Sequence, residues 1–324
     1  MIMKHNYRQH RIALASVLLL GIVGCATSPK QPVPSAQAKP SAHRSEDPTS
    51  STRLAGSFDE AVRRGDAAWQ SGNMDLALYL YVQALSFQPR DVSTLGKIGS
   101  IHQARGNLDL ARKAFELAAT TAPDDARATS HLGLVLLAQD DLDGADAWLR
   151  KSIAVDSTNW LIYDALGIIA KRRGHYDDAL LFLQHANTLA PSAPAPLLHR
   201  GSVLLAKADY ATAEIALQQS LDLKQTTDTW RLLGEAQAHR GKYPKALTSL
   251  TRAMDVPTAY NTVGQVAMSN HDNQIALEYF QKATEASPVY FPEAERNAAL
   301  VREQLNAYRP TASHSFLKSE PPRQ

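Results

Sequence analysis

Cysteine is almost missing from this chain, and its scarcity removes whole classes of architecture. One thiol, Cys25, stands among 324 residues. No intramolecular disulfide and no cysteine-rich zinc or iron–sulfur site is therefore open to it, and stability must come from packing. Aromatic residues are sparse at 7%, and runs of Val, Ile and Thr are few from residue 58 onward, where Ala and Leu are dense. That balance disfavours a β-sandwich and a parallel sheet alike and points to an all-α chain. An excess of either charge is lacking too, with 34 Lys and Arg against 32 Asp and Glu. Three of the bases, Lys4, Arg8 and Arg11, fall in a leader expected to be removed, which leaves the two signs nearly matched. A near-neutral chain has no electrostatic footprint for nucleic acid.

A long hydrophobic run is also missing. Ile12 to Val23 is an unbroken apolar or small-residue stretch of 12, preceded by bases and no acid. As a helix it reaches about 18 Å, short of a bilayer core of about 30 Å, so it reads as the core of a signal peptide rather than a permanent span. It ends Ile22-Val23-Gly24-Cys25, which resembles the bacterial lipobox. The resemblance implies removal of residues 1–24, a thioether-linked diacylglycerol on Cys25 and an N-acyl chain on the new terminus. No other cofactor is expected. One acyl chain anchors only marginally, whereas several hold stably. Ala26, rather than Asp, follows the cysteine, and the resemblance then implies the outer membrane, facing the periplasm. From Ala26 to Ser57 the chain carries five prolines and many Ser, Ala and Thr residues. Such a segment cannot bury enough surface to offset its ordering entropy, so residues 25–57 are expected to be an acylated cysteine and a disordered tether spanning about 30 Å.

What the chain has in abundance is periodicity. Glycines recur at Gly65, Gly99, Gly133, Gly167 and Gly201, four intervals of 34, and Gly234 and Gly264 follow at 33 and 30. Twelve residues after each stands alanine: Ala77, Ala111, Ala145, Ala179, Ala213, Ala246 and Ala276. Nineteen after stands Ala or Ser: Ala84, Ala118, Ser152, Ala186, Ser220, Ala253 and Ala283. Small residues at fixed offsets mark where helices approach too closely for larger side chains. Large ones such as Leu132, Leu166, Leu233, Tyr81, Phe115, Leu149, Leu183 and Phe280 fill the space between. Gly72-Asn73, Gly106-Asn107, Gly174-His175 and Gly241-Lys242 occupy one shared turn. Pro89, Pro123, Pro191 and Pro288 close repeats, while Ser157 and Gln225 replace that proline in repeats three and five, and repeat six closes early at Asp255-Val256-Pro257.

This pattern resembles the tetratricopeptide repeat, a helix–turn–helix unit. The resemblance implies a right-handed superhelical solenoid of seven repeats over residues 58–288. Residues 289–308, with Leu300, Val301 and Leu305 among charges, are expected to cap the exposed last repeat, and residues 309–324 to be a disordered tail.

Motifs for chemistry are missing again: there is no HExxH, GxSxG or CxxC. Gly234 to Tyr243 imitates a phosphate loop but has the wrong spacing and no Ser or Thr after Lys242. Gln139 to Gly144 imitates a calcium loop, yet Gln139 takes the first ligand position and Arg150 that of the bidentate Glu. The histidines lack i, i+4 pairing, and Trp69, Trp148, Trp160 and Trp230 sit at different positions of different repeats. Neither a metal site nor a catalytic residue is expected, and the tryptophans are expected mostly in the core.

In repeats of this family the inner groove is lined by the first helix of each unit. Carrying those offsets over gives Leu134 and Leu137, then Leu161, Asp164, Ile168 and Lys171, then Leu198, Ser202 and Leu205, with Arg231 and Glu235 beyond. Asp59, Asp66, Trp69, Asp228 and His239 make the ends more polar. Two readings stay open: an apolar strip that takes a strand or amphipathic helix from a partner, or a strip partly buried by its neighbours or covered by the tail through Phe316 and Leu317. The clamp that related repeats close on chaperone carboxyl termini is not expected, because Val62 and Asp66 stand where Lys and Asn would be needed.

A lipobox, a long tether and these repeats together resemble the TadD-type lipoproteins of tight-adherence (Flp) pili and the pilotins of type IV pili, which help a secretin assemble. A second resemblance is to lipoprotein adaptors that gather peptidoglycan hydrolases. Either implies a non-enzymatic scaffold with protein partners, a membrane contact through lipid, and an oligomeric state that the sequence leaves open.

Overall fold

The computed structural model describes residues 54–307. The leader, Cys25, most of the tether and the tail from 309 onward lie outside the described residues. Fifteen α-helices and no strand occur among those described. They are α1 (Phe58–Gln70), α2 (Met74–Phe87), α3 (Val92–Ala104), α4 (Leu108–Thr121), α5 (Ala126–Ala138), α6 (Leu142–Val155), α7 (Trp160–Arg172) and α8 (Tyr176–Leu189). The remainder are α9 (Pro194–Ala206), α10 (Tyr210–Leu223), α11 (Thr227–His239), α12 (Tyr243–Leu250), α13 (Val256–Ser269), α14 (Asn273–Ala286) and α15 (Pro292–Ala307). Odd-numbered helices A alternate with even-numbered helices B, and α1–α2, α5–α6, α7–α8, α9–α10, α11–α12 and α13–α14 pack as hairpins, with α15 last.

The helix starts are written locally. Ser57, Asn73, Asp91, Asp125, Asp141, Asn159, Asp209, Thr226 and Asp255 each accept a backbone N–H of the first turn on their side chains. Asp141 capping α6 through the Gly144 N–H, at 3.0 Å, accounts for the calcium-loop imitation. Pro194, Pro244 and Pro257 fall in first turns, where a missing N–H costs nothing.

The chain divides into two compact units, with the boundary inside α4 after Ala114. In the first, α1 packs on α2 and α2 on α3, around Ala68, Ala77, Leu80, Tyr81, Ile98 and Ile101. In the second, each helix from α5 to α15 packs on the next, and each helix A also touches the A helix of the following repeat. The expected alanines are fully buried: Ala77, Ala111, Ala145, Ala179, Ala213, Ala246 and Ala276 have no exposed surface. The repeat glycine has a steric cause. A Cβ added at Gly133, Gly167, Gly201 or Gly234 would stand 2.5–2.6 Å from Cγ of Leu149, Leu183, Leu217 or Leu250, sixteen residues on in helix B of the same hairpin. Ser152 and Ser220, which replace the second alanine, are buried and donate to the carbonyls of Ala126 at 2.7 Å and Pro194 at 2.9 Å.

Two expectations need correction. Helix α12 has only 8 residues where the other B helices have 14, so Ala253 lies in the turn after it, half-buried, rather than in a helical seam. Repeat six has lost the residues that would extend the helix, and Asp255 already caps α13. The four tryptophans are half-buried rather than core. Two lie under cations, Trp230 beneath Arg252 and Trp148 beneath Lys151, at 5.0 and 5.1 Å, a contact that offsets part of what incomplete burial forgoes.

Candidate functional site: the helix A face

Of the helix A residues that sequence periodicity groups together, the second unit brings Lys171 to Ser202 and Arg231 to Glu235, both polar pairs. On α7, Lys171 reaches across to α9 and donates to Ser202 Oγ at 3.0 Å. The same hydroxyl donates to the His199 carbonyl at 2.7 Å, so its proton is committed and a lone pair faces the ammonium. On α11, Arg231 Nη1 lies 2.6 Å from Glu235 Oε1, one turn along the same helix. Burial first, then the Arg231 and Arg172 charges, push the Lys171 ammonium below the usual lysine range, while Glu235 opposes them. Lys171 and Ser202 thus join α7 to α9, and the Arg231–Glu235 pair on α11, the next A helix, bears on Lys171 through its charges.

Asp164 is elsewhere occupied. Its carboxylate is buried, and both oxygens lie within hydrogen-bond distance of His199 Nδ1, at 2.8 and 3.0 Å. Leu137 is buried at 8% exposure. These two residues correct the expected open groove lining. A leucine gains from turning into the seam at the position where Lys171, one repeat later, must keep its ammonium accessible, and an aspartate with a partner on the next helix can be withdrawn from water. Leu134, Leu161, Ile168, Leu198 and Leu205 are half-buried, and Leu198 and Leu205 pack against the cluster that includes Leu204, Leu217 and Leu233. The face is a mixed surface with no exposed apolar strip. From α5 to α12 the exposed large apolar side chains sit on helices B, led by Leu181 at 66% and Ile215 at 60%.

His199 was missed as a partner of Asp164. The signal lies in register: contacts between successive A helices join residues 31 or 35 apart, as in Lys171–Ser202 and Asp164–His199. In the first unit the same 31-residue step joins Asp66 to Lys97 at 2.6 Å, and Tyr81 Oη donates to the same carboxylate oxygen at 2.6 Å. Burial pushes the Asp66 carboxyl up, but hydrogen bonds from Lys97 and Tyr81 outweigh it and hold it low. Burial and then Asp66 push the Tyr81 phenol up. Among the described residues no group of three or more His, Cys, Asp or Glu side chains is placed to hold a metal ion, and no helix is long and apolar enough to cross a membrane.

Such hairpins define the class. Residues 97–159 and residues 257–290 each match a tetratricopeptide repeat family model. These two segments carry tetratricopeptide repeats, and the all-helical repeat architecture of the described residues fits a repeat superhelix. Among solved structures, it is similar to a chain of the APC/C hetero-tetramer Cut9-Hcn1, with TM-score 0.56 and 20% identity over 75% of this chain and 49% of that one. It thus spans about half the length of that relative. A tetratricopeptide repeat protein from Parabacteroides merdae matches with TM-score 0.55 and 12% identity, over 76% of this chain and 100% of the other. Pseudomonas aeruginosa PilF matches with TM-score 0.51 and 19% identity, over 64% and 97%. At these identities the likeness is one of fold. No curated protein matches the sequence.

Proposed function

We propose that this protein is an outer-membrane-anchored scaffold in the periplasm that docks a partner polypeptide on the A helices of repeats three to six. It would act in assembly of a pilus or secretion system, with a secretin or another pilus component as the partner. The observation that carries the docking reading is the Lys171–Ser202 contact together with the Arg231–Glu235 pair that bears on it. Charged side chains half-withdrawn from water and aligned over three successive helices offer directional contacts that a bare apolar strip lacks. Anchoring rests on Cys25, the only cysteine, at the lipobox position, and the pilus reading on the resemblance of lipobox, tether and repeats taken together. No catalytic step is assigned, and the chain is read as a binding protein rather than an enzyme.

The test is photocrosslinking in living cells from a reactive residue placed at Leu134 or Leu205 on helices A, against Leu181 or Ile215 on helices B, with helicity checked for each variant. Adducts from the first pair alone are expected, and mass spectrometry of the adduct names the partner. A secretin or pilus protein supports the assembly reading, whereas a cell-wall hydrolase replaces it with the adaptor reading. Adducts from Leu181 and Ile215 alone would move docking to the opposite helices and end the helix A proposal.

A further inference from the structure

The geometry points to a receptor for one carboxylate of the bound polypeptide, formed by Lys171 where it meets Ser202 and by Arg231 on the next A helix. This rests on the docking reading above and gives it a chemistry. Lys171 is half-buried, and its one hydrogen-bond partner among the described residues is the neutral Ser202 hydroxyl, 3.0 Å away. No carboxylate among the described residues lies within ion-pair distance of it, whereas the neighbouring Arg172 is paired with Asp140 at 2.8 Å and Arg231 with Glu235 at 2.6 Å. An ammonium partly withdrawn from water and held only by a hydroxyl has lost hydration without gaining a countercharge. Arg231 makes that deficit worse, since its charge bears on Lys171, and Glu235 offsets it only from a distance.

Counting these groups gives two cations, Lys171 and Arg231, and one anion, Glu235. One negative charge is missing. A carboxylate entering beside Ser202 would take a charge-assisted hydrogen bond from Lys171, and it would share the Arg231 guanidinium, whose remaining N–H groups lie outside its single contact with Glu235. A phosphate, with nearly two charges, would overfill the deficit and meet Glu235 in repulsion. The half-buried Leu198 and Leu205 on α9 flank the position and leave room for apolar neighbours of the acid. The site lies on different repeats from Val62 and Asp66, the residues that exclude the chaperone-type clamp, so it is a separate binding solution on the same face.

Lysine footprinting on the full chain in detergent tests this. Acetylation of each lysine is followed by mass spectrometry in the presence of three synthetic peptides. They are acetyl-Ala-Leu-Asp-Leu-Ala-amide, its Asn counterpart, and that Asn peptide with a free carboxyl terminus. Inorganic phosphate is a fourth arm. The Asp peptide is expected to slow labelling of Lys171 severalfold while exposed Lys207 and Lys224 are unchanged, and to bind about tenfold more tightly than the amidated Asn peptide. Protection by the free-acid Asn peptide instead assigns the site to a chain terminus rather than a side chain. Arg231→Met should abolish the protection, and Arg231→Lys should retain part of it, which separates charge from folding. Equal effects of the Asp and amidated Asn peptides, protection spread over all lysines, or equal protection by phosphate would each overturn the carboxylate receptor. Crosslinks from Leu134 or Leu205 with no carboxylate dependence at Lys171 leave the docking reading standing and remove this one. Loss of both removes both.

Discussion

At the scale of single residues, the turn between helices A and B shows how far side-chain identity reports backbone shape. Seven residues after each repeat glycine the backbone is left-handed wherever it is described: Gly72, Gly106, Gly174 and Gly241 have φ between 70° and 79°, and Asp140, Ala208 and His271 have φ of 66°, 59° and 65°. Four of these turns were legible because glycine announces a left-handed residue. Three were not, since the repeat imposes the conformation on side chains that disfavour it. Ala208 bears the cost without any polar side chain to offset it. Ala208→Gly is therefore expected to raise stability by up to about 1 kcal/mol, seen as a higher urea midpoint at unchanged slope. An unchanged or lower midpoint would mean that the gain in unfolded-chain entropy cancels the relief. The same limit hid the fate of Leu137 and Asp164: one position of helix A hosts Leu137, Lys171 and Leu205 in successive repeats, so position alone does not decide which side chain turns inward.

At the scale of elements, helix pairing was the most legible feature, because a close seam admits only small residues and a repeat displays that demand several times. Pairing between A helices was less so. It became visible only once packing fixed the 31- and 35-residue steps. The contact between helices α4 and α5 carries a pH dependence of its own. His131 on α5 meets the Phe115 ring edge-on at 5.0 Å. Burial, then the charge of Arg127, push its imidazole below the usual 6.5, with Asp125 opposing. His102 and His239 are lowered as well, burial again being the main cause. The unfolded chain takes up these protons as pH falls through about 6.5, whereas the folded chain does so only at lower pH. Stability is thus expected to decline below that value until the folded histidines also protonate. Urea midpoints measured between pH 7.5 and about 5 should fall for the natural chain and fall less for His131→Gln. Parallel curves for the two would show that His131 is not among the groups responsible.

The charge pairs that stitch successive repeats at this turn belong to the same scale. Arg105–Asp75 and Arg173–Asp143, at 2.7 and 2.6 Å, and Lys207–Asp177 recur at one register. Their aspartates are 87–96% exposed, so they set alignment more than stability.

At the scale of the whole molecule, the residues proposed for attachment and those proposed for docking lie in separate parts of the sequence, so the anchoring proposal can be tested apart from the repeats. Cys25→Ser is expected to abolish lipid modification and release the repeats from the membrane fraction while their helicity by circular dichroism is unchanged. Mass spectrometry of the natural amino terminus should find an acylated Cys25. An unmodified terminus starting elsewhere would end the lipoprotein reading. The repeat glycine, finally, bears on how such a chain can change length. At Gly65, Gly133, Gly167, Gly201, Gly234 and Gly264 the bulky side chain seated against the glycine lies in the same hairpin, so these contacts are not shared between neighbours. Excising residues 133–166 would join Leu132 to Gly167 and recreate the Leu-Gly junction already present at Leu166-Gly167. Unequal exchange between copies within the gene can then add or remove one hairpin at a time without orphaning a steric partner. What such an exchange would disturb is the spacing between Lys171 and Arg231: a hairpin inserted between their helices would separate the two cations, whereas one inserted elsewhere would leave them together.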